Sequence, residues 1–106
     1  MTIEKRYFSK EKQERALTLA KKMFNTRIKD DKKIGNIEKE VLLNKFESLI
    51  DAIPIKEIIG EDLLKIFNVT KEEFNTFLIN TPELANVDKA QVMYYAKCAF
   101  LMCYDF

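Results

Sequence analysis

Residues 61–80 read EDLLKIFNVTKEEFNTFLIN, and the architecture of the chain turns on how this stretch is folded. Leu63, Leu64 and Phe67 share one side of a short helix from Glu61 to Phe67. Asn68-Val69 suits a tight turn, since asparagine tolerates left-handed backbone. Thr70-Lys71-Glu72-Glu73 then has the form of a capping box. In that arrangement the Thr70 hydroxyl accepts from the Glu73 amide and the Glu73 carboxylate reaches back to the Thr70 amide. Val69 and Phe74 stand where the accompanying hydrophobic staple belongs. A short helix, a turn and a well-capped second helix to Asn80 together predict a helix-turn-helix-like unit. It departs from the DNA-binding form in two places. Asn68 replaces the common glycine, and bulky Leu64 stands where a small residue lets the helices approach.

On the N-terminal side, Ala16, Leu17, Ala20, Phe24 and Ile28 recur at helical spacing, which predicts a helix from after Ser9 to about Lys33. Arg15, Lys22 and Lys29 repeat every seven residues on its opposite side. Gly35 is expected to take a left-handed cap and Asn36 to cap the next helix. That second helix, from about Ile37 to Ile53, has the stripe Ile37, Val41, Leu42, Phe46, Leu49, Ile50 and Ile53. Pro54 stops it, and the apolar turn Ile55 to Ile59 leads into the central stretch.

On the C-terminal side, Thr81-Pro82-Glu83 opens a further short turn of helix, with proline at its favoured first position. Asp88 and Gln91 form a second capping box, with Val87 and Val92 as its staple. From Val92 to Phe106 the chain is almost wholly apolar. A helix apolar all round is either the central helix of its domain or part of a subunit interface. Tyr94, Tyr95, Leu101, Tyr104 and Phe106 are the candidate contacts of such an interface, and a two-fold dimer is its simplest closed form.

The fold predicted from these pieces is all-α. It is a compact orthogonal bundle of five or six helices in one domain, residues 1–106, with a helix-turn-helix-like unit and an apolar C-terminal helix. Composition agrees: of 106 residues, 47% are hydrophobic and only two each are Gly and Pro, too few for a turn-rich all-β fold. No apolar run approaches the roughly 18 residues of a membrane span, and the charged N-terminus does not read as a secretory signal. Cys98 and Cys103 fall on different faces of one helix, so unpaired thiols and a cytoplasmic protein are expected.

The chemistry of an enzyme is not expected. The chain has no histidine, which removes the commonest general base and metal ligand. Gly35 and Gly60 alone cannot make a phosphate-cradling loop. Ser9 and Ser48 have no motif around them. The pairs Asp30-Asp31, Glu61-Asp62 and Glu72-Glu73 consist of neighbours that point apart on a helix. No cofactor, metal or small-molecule substrate follows from such a set.

Binding remains. Net charge is +1, but residues 1–33 hold eleven Lys and Arg against five acids, and the rest holds seven against twelve. The leading expectation is a regulatory binding module whose helix-turn-helix-like unit contacts DNA. Lys71 would meet phosphate, Asn75 adenine, and Thr76 would stand beside them. Glu72 and Glu73 present the wrong sign to a polyanion, so Arg15, Lys22 and Lys29 would have to supply backbone contacts. The alternative is a small protein-binding inhibitor or assembly adaptor, of the kind mobile elements and phages encode, that binds no DNA.

Overall fold

Ser9 opens the first helix in the computed structural model of the chain, which describes residues 5–102. Its hydroxyl accepts from the Lys12 amide at 3.2 Å, the side-chain cap that a helix start needs. Just before it, β1 (Tyr7–Phe8) pairs antiparallel with β2 (Ile58–Ile59), Tyr7 opposite Ile59. This small sheet was not foreseen. The helices are α1 (Lys10–Asp30), α2 (Asn36–Asp51), α3 (Gly60–Asn80) and α4 (Lys89–Met102), with a 3₁₀ turn at Pro82–Leu84.

The helix-turn-helix-like unit is not there. α3 is one unbroken helix of 21 residues. Its buried positions Leu63, Phe67, Thr70, Phe74 and Leu78 are spaced four, three, four and four apart. That rhythm keeps one face in phase straight through Asn68 and Val69, and neither residue breaks a helix. Thr70 is buried, and its hydroxyl donates to the Ile66 carbonyl one turn back at 2.8 Å. It is therefore an interior residue and not a cap. Val69 is exposed and staples nothing. The expected orthogonal bundle of five or six helices gives way to four α-helices and a 3₁₀ turn among the described residues. Gly35 is also corrected: its φ is −69°, in the extended region, and it precedes α2, whose first residue is Asn36.

Cross-helix links show how the four helices run. The Lys39 ammonium reaches the Lys29 carbonyl and the Lys21 ammonium reaches Asp51, each at 2.8 Å, so α2 returns antiparallel along α1. Tyr95, midway along α4, bonds to Asp31 just past the end of α1. Phe67 in the first half of α3 meets Phe100 near the end of α4. α1 and α3 each lie against both α2 and α4, so they occupy one diagonal of a four-helix arrangement. The body measures 41 × 24 × 21 Å, as expected when helices about 31 Å long share an axis.

Every helix sends a phenylalanine to the centre. Phe24 of α1 meets Phe46 of α2 edge to face at 4.0 Å between centroids, and Phe74 of α3 at 5.5 Å. Phe100 of α4 closes the set against Phe46 at 5.5 Å and Phe67 at 4.6 Å. One polar side chain is wholly buried near this core. Gln13 donates to the Pro54 carbonyl at 3.0 Å and accepts from the Lys56 amide at 2.6 Å. Both ends of its amide are used, as a buried polar group requires. It ties the loop between α2 and β2 to α1.

Candidate interaction surface

Three outer ridges present themselves, and they differ in chemistry. On α1, Arg15, Lys22 and Lys29 are exposed directly opposite the buried stripe. Arg15 lies 3.7 Å from Glu11, an ordinary surface pair. Of the residues anticipated on the other side of a DNA contact, Lys71 is half-buried and Asn75 and Thr76 are exposed, all on α3. Because α1 and α3 sit on a diagonal, their outer faces look in opposite directions. The structure does not bring the two halves of that set together.

On α4, Val92, Ala96, Ala99 and Phe100 are buried. Tyr94 and Leu101, seven residues apart on the outer ridge, are 55% and 53% exposed. Tyr95 is half-buried, and its hydroxyl is engaged by Asp31 at 2.8 Å. Of the candidate interface residues, then, Tyr94 and Leu101 share a face and Tyr95 does not. Tyr104 and Phe106 lie outside the described residues. Cys98 is a free, half-buried thiol; as hydrogen-bond partner of Tyr94 it holds that phenol's pKa above its ordinary value. Cys103 lies outside the described residues.

On α3, sequence reasoning missed a surface. Asp62, Ile66, Val69, Glu73 and Thr76 follow one another at alternating spacings of four and three, a single line along the helix, and Ile59 of β2, the residue just before α3, precedes them. Ile59, Asp62 and Ile66 line a cleft of about 620 Å³ that also takes in Tyr7. The last three line a second cleft of about 620 Å³, bounded by Lys45 of α2 and Phe77. Tyr7, Ile59 and Val69 are each more than half exposed. Cross-strand pairing puts Tyr7 beside Ile59, and Gln13 holds the loop next to them. Carboxylates rim the line: Glu57 at one end, Asp62 within it, Glu72 and Glu73 further on. Glu57 accepts from the Tyr7 hydroxyl and raises its pKa. Of the rim cations, Lys45 stands 5.2 Å over the Phe77 ring and Lys56 lies at the β2 end. The rhythm that reveals this line was present in the sequence. A turn at Asn68-Val69 would break it, and α3 has none there.

Among the described residues, no three His, Cys, Asp or Glu side chains converge where a metal ion could sit, and no helix is long and apolar enough to cross a membrane. Comparison with known proteins gives no matching family, no matching curated protein and no matching solved structure.

Proposed function

We propose that the chain is a non-enzymatic binding module that holds a protein partner on its α2–α3 side, as an inhibitor or assembly adaptor. One observation carries this reading: the line Ile59, Ile66, Val69 leaves large apolar side chains in two successive clefts. Exposed apolar patches set in a polar rim are typical of protein interfaces. DNA is disfavoured on this side by the carboxylates at 57, 62, 72 and 73. The free thiol of Cys98 fits work in a reducing compartment such as the cytoplasm. The test is a photo-crosslinking amino acid at Val69, with Ile37 as control, 74% exposed at the start of α2 and lining neither cleft. A protein adduct at Val69 and none at Ile37 is expected in the native cells. A nucleic-acid adduct, or no adduct at Val69, overturns the reading.

The exposed Tyr94 and Leu101 favour a second reading, that two copies associate about a two-fold axis through α4. The two readings use different faces and are compatible.

A further inference from the structure

We infer that the occupant of the two clefts along α3 is a basic amphipathic helix from the partner protein. This rests on the protein-binding reading above and adds the chemistry of what is bound. The line from Ile59 to Thr76 extends about 26 Å along α3, the length of a helix of about 17 residues laid alongside it. Ile59, with Tyr7 paired beside it, forms one apolar patch, and Ile66 and Val69, one step apart on the same line of α3, form a second about two turns further on, a spacing that matches side chains recurring every three or four residues on a docked helix. An extended peptide would find no long sheet edge here, since β1 and β2 have only two residues each.

Charge identifies the sign of the occupant. Glu57, Asp62, Glu72 and Glu73 stand among and beside the apolar residues and outnumber the two cations that line the clefts, Lys56 at the β2 end and Lys45 over the Phe77 ring. Lysines or arginines on the flanks of a docked helix meet these carboxylates; acidic flanks are repelled. A second copy of this chain related by a two-fold axis would set the same carboxylates against each other. The basic ridge of α1 from a second copy also fails, because Thr18, Thr26 and the cations between them offer nothing to fill the apolar positions.

Synthetic 18-residue peptides provide the test, titrated against the full chain by fluorescence anisotropy and by methyl shifts in NMR spectra. One carries Leu at helical spacing and Lys elsewhere. A second has Glu for Lys, and a third scrambles the Leu/Lys order. The periodic Leu/Lys peptide is expected to bind and to move the methyl signals of Ile59, Ile66 and Val69. Val69→Asp and Glu73→Lys, both at exposed positions, should each weaken it about tenfold with the thermal midpoint unchanged. No binding, equal binding of the Glu or scrambled peptide, or shifts centred on Leu101 would overturn the inference. A protein adduct at Val69 with no binding of the periodic peptide sinks the basic helix and leaves the protein-binding reading standing. Loss of the adduct sinks both.

Discussion

The Tyr95 hydroxyl donates to the Asp31 carboxylate at 2.8 Å, fastening the first half of α4 to the turn that follows α1. The other Asp31 oxygen accepts from the Lys33 amide at 2.8 Å. The Lys33 amide, followed by the Tyr95 hydroxyl, holds the Asp31 carboxyl below its usual pKa; the same carboxylate, aided by partial burial, raises the pKa of Tyr95. The two shifts act at opposite ends of the pH scale. The Asp31 contribution is present above about pH 4, its unfolded value, and is lost as pH falls through the lower folded value. The Tyr95 contribution is present below about pH 10 and is lost as pH rises through its raised folded value. Tyr95→Phe should move the Asp31 carboxyl titration, followed by carbon NMR, to higher pH while leaving the Lys33 share in place. An unchanged midpoint would show that the hydroxyl does not act on Asp31.

A proline at position 68 separates one helix from two. In a turn between helices Asn68→Pro would be absorbed. Inside α3 it removes a helical hydrogen bond and clashes with the carbonyl one turn back, costing about 3 kcal/mol or more. Asn68 is exposed, so no packing is lost to confuse the result. A denaturant midpoint close to that of the parent protein would restore the two-helix description.

Gln13→Leu keeps the bulk of the side chain and deletes both of its hydrogen bonds. The Lys56 amide and Pro54 carbonyl lose their partner, and stability should fall by about 1–3 kcal/mol. The Lys56 amide should also exchange faster with solvent than in the parent. Full protection of that amide in the variant would mean that the loop is held by other contacts.

Leu101→Lys tests association through α4. Light scattering of the parent at micromolar concentration should give the mass of a dimer, and the variant that of a folded monomer. Since Leu101 is 53% exposed in the single chain, the variant should keep its thermal midpoint at low concentration. A parent that is already monomeric rejects the dimer.

Much of the fold is legible in the residues, and the misreadings have physical causes. Ser9 caps α1 as its position implies, and Asp88 accepts from the Gln91 amide at 3.1 Å at the start of α4. These are local interactions with short sequence signatures. In α3 the capping signature at Thr70 points locally to a helix start, whereas the phase of Leu63, Phe67, Phe74 and Leu78 never slips and holds the stretch in one helix. Threonine serves both roles, capping a helix start or bonding back to the previous turn within one. The β1–β2 pair joins distant parts of the chain through two residues a side, too short for a strand pattern to register. The apolar stripe of α2 predicts Ile37 to face inward, yet it lies 74% exposed, because its spacing of five, nine and thirteen residues from the buried Leu42, Phe46 and Ile50 puts it on the far side of that helix. As for the clefts, Tyr7 and Lys45 line them from β1 and α2, and no local pattern associates either with α3.

The meeting of one phenylalanine from each helix sets how the molecule comes apart. Phe24 rests on Phe46 and Phe74, and Phe46 on Phe100, so withdrawing any single helix strips at least one neighbouring ring of a partner. A fragment of three helices would carry a void the size of a benzyl group, a loss of about 3–5 kcal/mol from a domain whose whole margin is about 5–15. Added to the buried face that the absent helix no longer covers, that loss leaves no three-helix fragment expected to hold its fold. Heat or denaturant should melt all four in one cooperative step, and slow hydrogen exchange should report the same free energy from the middle of every helix.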